Sequence, residues 1–414
     1  MPRMAKYLLL IFISGAFLGS EAQASIIAAA TCSQSNVTTA IAAANVGDTV
    51  TVPIGSCSWS GLSLNKAVTL QGAGVGLTNI TLAGNNTVTK SAAGVTRVKG
   101  FSFSISGGGN ANKGFTIQGS WKSAQPIVFQ NNAFTTNGSA LFLVAVPGGL
   151  IVANNSFTGL WDDSFLQIKE PNDPQGSWHT ADSIGTNDPS GTLNHYIETN
   201  TFVGGTNQGI DCDDACRVVY RHNTLTNSSF NSHGDDTSPN GMRHFEVYNN
   251  SFGNTQDSSQ LANENQAVWI RGATGVIYNN VFVALAGNFW GTKPEIRMNI
   301  RGAEDVRPQG SCAQVSYPAP HQLGQNNNGT SDFTDPIYLW GNTGTITISA
   351  GWNWGNPCGL TFSNFFQWGR DGINPAASGG SPKPGYTAFT YPHPLVLGSG
   401  TAPGPPTNLQ AIVN

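Results

Sequence analysis

Alternating apolar and polar positions recur along the chain in short runs that each reach an Asn and then, two residues later, a large apolar residue. The Asn positions lie 23, 45, 23, 27 and 30 residues apart, so the long gap equals about two repeats. A period of this length is typical of a stacked solenoid. Because the repeats contain short β runs and turn residues without a helical stretch, the pattern predicts stacked β coils. The copies are IVFQNNAF (127–134), LIVANNSF (150–157), HYIETNTF (195–202), VVYRHNTL (218–225), FEVYNNSF (245–252) and GVIYNNVF (275–282).

Side chains alternate between the two faces of a strand, so the repeat also predicts which residues face inward. The positions three and five before the second Asn are mostly apolar and should face the coil interior. The residue two positions after that Asn should stack as an internal column of Phe and Leu. The Asn itself is expected at a turn, where it tolerates the left-handed conformation and its amide can bond to the same group of the next coil. The second Asn of each copy is Asn132, Asn155, Asn200, Asn223, Asn250 and Asn280.

The two ends of the chain differ from this pattern. Residues 1–24 combine two basic residues, an apolar run and a small-residue AQA site, which is typical of a cleaved signal peptide. Residues 25–397 are assigned to the coiled domain, in which about 25–60 form an N-terminal cap that includes a short helix over 36–44. Residues 398–414 are rich in Pro and Gly and are interpreted as a linker-like tail.

Composition supports an exported protein, either extracellular or, in a Gram-negative bacterium, periplasmic. Charged residues make up 10% and the net charge is -4, so no basic surface indicates a nucleic-acid partner. The apolar run at the N-terminus is short for a membrane span and none later is long enough. A monomer is expected. Six Cys in an exported chain suggest disulfides, which proximity pairs as Cys32–Cys57, Cys212–Cys216 and Cys312–Cys358.

The segment AIAAANVGDTVTVPIGSCSW, followed by LNKAVTLQGAG, resembles the entry segment of secreted pectin-lyase-like proteins. The NNxF coils continue that resemblance to about residue 350. It implies an all-β fold, a right-handed single-stranded parallel β-helix with a short N-terminal capping helix. Members of this group include polysaccharide lyases, polygalacturonase-type hydrolases, epimerases and adhesins, so the fold leaves the activity open.

A second strand lies upstream of the Asn strand in each coil, and its alternation places several charged residues on the outer face. Aligning LQIKE (166–170), IDCDD (210–214), VWIRG (268–272) and MNIRG (298–302) puts Trp269 beside Asn299 and Arg271 beside Arg301. The segment FNSHGDD (230–236) should lie near the same face. The candidate catalytic residues are His233, Asp213, Asp235 and Arg271, and the candidate substrate-binding residues are Lys169, Asp211, Trp269, Asn299 and Arg301.

These residue types suit an acidic polysaccharide, because cations bind uronate carboxylates, an exposed Trp stacks on a sugar and a base withdraws a proton. The leading interpretation is a lyase on a uronate-containing glycan, with His233 as the base and Ca²⁺ on Asp as an optional cofactor. A hydrolase that uses an Asp pair is the second interpretation. Activity motifs are incomplete, since ETNTF (198–202) lacks the Asp of polygalacturonase-type enzymes. A non-catalytic surface or adhesion protein therefore stays open as the third. Glu198 over Arg221, on another face, is expected to be a structural ion pair.

Overall fold

In a computed structural model, the described parts of the chain form one stack of β coils. Within them the chain is almost entirely β, with two helices: α1 over Gln34–Ala43 and α2 over Phe362–Phe365. The described ranges are 24–106, 113–119, 125–137, 142–144, 148–160, 164–168, 191–204, 208–213, 216–234, 242–253, 266–283, 295–301, 317, 323–327, 331–353, 361–373 and 380–396.

The strands are short, most of them three to six residues long. In chain order they are β1 Ile26–Ala28, β2 Thr49–Val52, β3 Gly55–Ser60, β4 Ser63–Leu64, β5 Thr69–Gly72, β6 Thr78–Ala83, β7 Asn86–Thr89, β8 Thr96–Lys99, β9 Ser102–Ser106, β10 Phe115–Gln118, β11 Ile127–Gln130, β12 Ala133–Asn137, β13 Phe142–Val144, β14 Leu150–Ala153, β15 Ser156–Leu160, β16 Ser164–Ile168, β17 His195–Glu198, β18 Thr201–Gly204, β19 Gln208–Cys212, β20 Arg217–Arg221, β21 Thr224–Thr226, β22 Phe230–Ser232, β23 His244–Tyr248, β24 Ser251–Gly253, β25 Val268–Ile270, β26 Thr274–Tyr278, β27 Val281–Val283, β28 Glu295–Arg301, β29 Gln325–Asn327, β30 Asp332–Thr334, β31 Ile337–Trp340, β32 Thr343–Gly344, β33 Thr347–Asn353 and β34 Gly372–Ile373.

Three long parallel sheets share these strands, and each coil contributes one strand to each sheet. Sheet A runs β1-β2-β5-β8-β11-β14-β17-β20-β23-β26-β31-β34, sheet B runs from β3 to β32 and sheet C from β4 to β33. Strands β29 and β30 form a separate antiparallel pair. Crossovers between successive parallel strands of one sheet are almost always right-handed. The predicted fold class, a right-handed parallel β-helix, is confirmed.

The Asn ladder consists of seven residues, the six from the repeat and Asn342. From Asn155 onward, each side-chain Oδ1 accepts hydrogen bonds from the backbone N and the Nδ2 of the ladder residue one coil earlier, at 2.9–3.1 Å. The Oδ1 of the first member, Asn132, accepts from the backbone N of Phe101 at 3.1 Å. The predicted amide bonds between coils are confirmed, but the left-handed residue of the turn is the one before the ladder Asn. That preceding column has φ between 53° and 62° and consists of Asn131, Asn154, Thr199, His222, Asn249, Asn279 and Gly341.

The coil interior is packed with apolar side chains in register. The predicted column of Phe and Leu is confirmed, since Phe134, Phe157 and Phe202 stack with ring centroids 4.8 Å apart. Further along, Phe252 and Phe282 stack at 5.1 Å. These rings lie on strands of sheet B that pair directly, so the regular strand spacing brings the faces of the rings into contact.

At the N-terminal end, α1 packs against β1, β2 and β3 through Val37, Ala40 and Ile41. The helix starts earlier than predicted, because Ser33 is the N-cap and its hydroxyl accepts from the backbone N of Asn36. Its function as a cap stays a prediction. The disulfide predicted between Cys32 and Cys57 is present. The predicted signal peptide, the linker-like tail and the Cys312–Cys358 pair lie outside the described residues.

A second apolar cluster lies on the outer face of sheet A, which the repeat did not predict. Residues 380–396, here called the C-terminal strap, pack across this face and bury it. Val128, Ile151 and Val219 are 0% exposed although alternation points them away from the coil interior. The strands of sheet A are therefore buried on both faces, which explains why IVF, LIV and VVY are continuous apolar runs rather than alternating ones.

Candidate functional site

One row of outward side chains crosses sheet C, and we call it the sheet C row. Strand pairing places its members directly opposite one another on β16, β19, β22, β25, β28 and β33. Segment 230–232 is itself a strand of this sheet, inserted between β19 and β25, whereas the sequence predicted only that it lies near the face. The row consists of Gln167, Asp211, Asn231, Trp269, Arg297 and Ser349.

The predicted alignment at β28 is wrong by two residues. Trp269 pairs with Arg297 rather than Asn299, and Arg301 pairs with Asn353. A slip by two residues keeps every side chain on its own face, so alternation cannot choose between the two alignments. Strand β28 is seven residues long and alternates polar and apolar residues throughout, as EIRMNIR. Strand pairing therefore places Arg297, which sequence reasoning missed, on the sheet C row.

His233 is the centre of an ionic cluster at the end of β22. Its Nε2 lies 3.0 Å from Asp211 Oδ1, and its Nδ1 lies 3.9 Å from Asp213 Oδ2. The Asp211 carboxylate also accepts hydrogen bonds from Asn231 Nδ2 at 3.1 Å and from Gln167 Nε2 at 3.5 Å. The sequence-predicted residues Asp211, Asp213 and His233 are thus brought together. Asn231 and Gln167 add polar contacts that no motif indicated.

The cluster determines the protonation state of the imidazole. Burial and the charge of Arg271 lower the pKa of His233, but Asp211 and Asp213 outweigh both and raise it to about 10. His233 is therefore an imidazolium at neutral pH. In that state it is a hydrogen-bond donor and a positive charge, whereas the predicted role as a base requires the neutral ring.

A disulfide fixes the turn that carries Asp213. Cys212 ends β19 and is bonded to Cys216, as predicted from their proximity. Within this small loop the backbone N of Cys216 donates to Asp213 O at 3.0 Å, and the backbone N of Asp213 donates to Ile168 O at 2.9 Å. One hydrogen bond within its own loop and one to the preceding coil therefore fix the position of Asp213 relative to His233.

Trp269 and Arg271 form a pair on the next strand. The guanidinium carbon lies 4.9 Å from the centre of the Trp269 ring, a cation–π contact, and Arg271 Nε donates to Ser232 O at 2.9 Å. The expectation of an exposed Trp is wrong, because Trp269 is 4% exposed and its ring is stacked by Arg271 of the same chain. Arg271 is 3% exposed.

Arg297 is a further cation of the sheet C row. Arg297 is partly exposed on β28 and has no hydrogen bond or ion pair with any described residue. Asn299, on the same strand, is fully buried and its Nδ2 donates to Gly351 O at 2.9 Å, which favours a structural role. Of the other predicted residues, Lys169 and Asp235 lie outside the described residues, and Arg301 is described by its backbone alone.

In the described ranges, no three His, Cys, Asp or Glu side chains form a group that could hold a metal ion. Neither described helix is long and apolar enough to cross a membrane.

No family model matches the chain, and no curated protein matches it. Among solved structures it is similar to the A-module of a mannuronan C-5 epimerase from Azotobacter vinelandii, at 14% identity and a TM-score of 0.30, over 84% of this chain and 96% of that one. It is also similar to the catalytic domain of a GH87 α-1,3-glucanase in complex with nigerose, at 10% identity and a TM-score of 0.24, over 79% of this chain and 65% of that one.

Proposed function

We propose that this protein acts on an extracellular polysaccharide at the sheet C row, and that the reaction is the cleavage of a uronate-containing glycan by β-elimination. The observation that carries the proposal is the Asp211–His233–Asp213 cluster, which places an imidazolium between two carboxylates on an outward face. The row continues from the cluster along the stack of coils, which suits a polymer. The two disulfides fit the oxidising compartment in which such a substrate is found.

The cations of the face have distinct roles in this reaction. Asp211, Asn231 and Trp269 occupy successive strands before Arg297, so the cluster and this Arg are separated by three strand spacings, about 14 Å. We assign to Arg297 the binding of a substrate carboxylate away from the cleaved bond. Arg271 is held by Ser232 and Trp269, and its charge acts on the cluster rather than as a mobile ligand.

At the cleaved bond, β-elimination needs a positive charge on the uronate carboxylate, a group that accepts the neighbouring proton and a proton for the leaving oxygen, which water supplies. The imidazolium of His233 supplies the charge. Asp213 is the acceptor we favour, because Asp211 makes the shorter contact with His233, 3.0 Å against 3.9 Å, and also accepts from Asn231 and Gln167. A His233 base would instead confine activity to alkaline pH, near its pKa of about 10.

Hydrolysis is the second candidate, and the same cluster supports it. Glycoside hydrolysis requires an acid and a carboxylate on opposite sides of the bond. His233 is the candidate acid and Asp213 the candidate carboxylate, and the 3.9 Å between Nδ1 and Oδ2 would have to widen for the bond to lie between them. The third interpretation, a non-catalytic surface or adhesion protein, treats the cluster as a buried ion pair that only stabilises the coil.

The deciding experiment incubates the purified chain with acidic and neutral glycans and measures unsaturated product by ultraviolet absorbance together with reducing ends. Each arm is run with Ca²⁺ and with a chelator, because Asp211 and Asp213 oxygens are ligands that Ca²⁺ accepts. Absorbance together with reducing ends supports the lyase, and reducing ends without absorbance support the hydrolase. Binding without either product would leave the non-catalytic protein.

Variants locate the activity. Asp213→Asn should abolish turnover, and His233→Gln should lower it by about two to four orders of magnitude, the range for loss of an acid–base or electrostatic group. Arg297→Gln should raise KM for acidic glycans with little change in kcat. Lys99→Gln is the matched control, since this partly buried cation lies on sheet A and has no described partner. Full activity in Asp213→Asn would remove the cluster from the mechanism.

A further inference from the structure

The C-terminal strap crosses sheet A from its C-terminal end toward its N-terminal end. It is attached first at Lys383, whose Nζ lies 2.6 Å from Asp335 Oδ1. Tyr386 then donates to Glu246 Oε2 at 2.6 Å. At the far end, Arg97 donates from a guanidinium nitrogen to Leu395 O at 2.5 Å. The strap therefore touches strands from β31 back to β8.

Two residues of the left-handed column form the middle attachment. Four of the seven positions of that column are Asn and one is Gly341, for which positive φ carries no steric penalty. The remaining two, Thr199 and His222, are the ones that Tyr391 contacts. The Tyr391 hydroxyl lies 2.7 Å from Thr199 Oγ1, and its ring stacks on His222 with centroids 3.6 Å apart. A β-branched residue such as Thr is unfavourable at positive φ. The departure from Asn therefore matches a docking surface for the strap.

Both histidines at this attachment accept hydrogen bonds and must be neutral to do so. His222 Nε2 accepts from Asn249 Nδ2 at 3.3 Å, and His393 Nδ1, in the strap, accepts from the backbone N of Leu395 at 3.2 Å. An imidazolium has two donors and no acceptor. Protonation of His222 therefore removes a bond between two coils directly beneath the Tyr391 ring, and protonation of His393 removes a bond that holds the fold of the strap itself.

The charged neighbours of the two histidines are mainly positive, and they therefore disfavour protonation of both rings. The Arg221 guanidinium lies beside both rings and donates to the strap carbonyls Phe389 O and Thr390 O at 2.8 and 2.7 Å. Arg97 adds positive charge near His393. The opposing carboxylate is Glu198, which accepts from the backbone N of His393 but is paired with Arg221 at 2.7 Å.

The remaining neighbours are aromatic. The rings of Tyr248 and Tyr391 face His222, and the ring of Tyr196 lies 4.6 Å from that of His393. A Tyr face attracts a cation, which would offset part of the loss on protonation.

We propose that the C-terminal strap is a pH-sensitive clasp: it is docked on sheet A at neutral pH and is released in acid when His222 and His393 are protonated, while the coils beneath stay folded.

The direction of the pKa shifts agrees with this geometry. Burial, followed by the charge of Arg221, lowers the pKa of His222 from 6.5 to about 4. Burial, then Arg221 and Arg97, lower that of His393 from 6.5 to about 4. The docked state is therefore at full strength above pH 6.5 and weakens as the pH falls toward 4. At pH 5 each histidine favours release by at most about 30-fold, because both rings stay partly solvated.

Hydrogen exchange of the full-length protein tests the proposal, with protection corrected for the intrinsic exchange rate at pH 8 and pH 5. Peptides from the strap should lose at least tenfold in protection at pH 5. Peptides that contain the ladder residues Asn155 and Asn200 should keep theirs. The variant His222→Asn restores the residue usual at this left-handed column, and His393→Gln supplies a neutral side chain. The double variant should change less than threefold between the two pH values.

Three results would overturn the proposal. They are equal strap protection at pH 8 and pH 5, simultaneous loss of protection in the strap and the ladder peptides, and an undiminished pH dependence in the double variant. If the double variant does not fold, His222→Asn alone decides, because it should remove about half of the logarithmic change. Glycan cleavage is not measured, so the outcome is independent of the proposed function.

Discussion

Replacing Asn155 by Ala removes one rung of the Asn ladder and leaves the backbone in place. The side-chain Oδ1 accepts from the backbone N of Asn132 at 2.9 Å, and that buried N–H has no other described acceptor. The Nδ2 donates to Phe129 O and Ala153 O, both at 3.0 Å. One orphaned N–H costs about 1–3 kcal/mol and the weakened carbonyl bonds add to it. We expect a loss of about 2–4 kcal/mol in the free energy of unfolding.

The measurement is urea denaturation followed by Trp fluorescence, with midpoints compared at equal m-values. The matched control is Asn154→Gly, one residue earlier. Asn154 has φ 57°, which Gly adopts without a steric penalty, and its side chain makes no described hydrogen bond. The control should change stability by less than about 1 kcal/mol. If Asn154→Gly costs as much as Asn155→Ala, the turn conformation rather than the amide ladder stabilises the coils, and the reasoning is refuted.

Three further changes test the two buried ion pairs and the disulfide beside the Asp213 turn. Glu198→Gln leaves Arg221 buried without its carboxylate and should cost about 3–5 kcal/mol in urea denaturation, an estimate that a loss below 1 kcal/mol would contradict. Reduction of Cys212–Cys216 should free the turn that carries Asp213. Paired rate and melting measurements should then show a loss of activity at temperatures well below the thermal midpoint, where the protein is still folded. His233→Gln should flatten the pH dependence of the free energy of unfolding. Because the pKa of His233 is raised, the imidazolium stabilises the folded state fully below pH 6.5, and this contribution is lost as the pH rises toward about 10. An unchanged slope in the variant would argue against the ion pairs.

The architecture could be predicted from the sequence because every coil requires the same residue types at the same positions. Each coil must place an amide at the same height and a large apolar side chain behind it, so Asn155 and Phe157 are repeated at Asn200 and Phe202. The buried pair of Glu198 and Arg221 was predictable for a related reason, since opposite charges at equivalent positions of adjacent coils lie one strand spacing apart.

Part of the candidate site could not be predicted, because its contacts are set by register and not by pattern. The cluster of Asp211, Asp213 and His233 was found from alternation, but Arg297 was missed because a slip of two residues preserves the faces. The protonation of His233 depends on distances to two carboxylates that no motif encodes. The sequence does contain a sign of the strap, because outward positions such as Val128 and Val219 are apolar, which indicates that this face is covered.

The strap also affects how the chain reaches its native state. In a solenoid each unit contacts only its neighbours, so coils can form one after another as the chain is synthesised. Arg97 and Leu395, which the strap brings together, are 298 residues apart. That contact cannot form until nearly the whole chain has left the ribosome, and loop closure over such a separation is slow. Until then the outer face of sheet A is uncovered, so the folding intermediate exposes an apolar surface that the native protein hides.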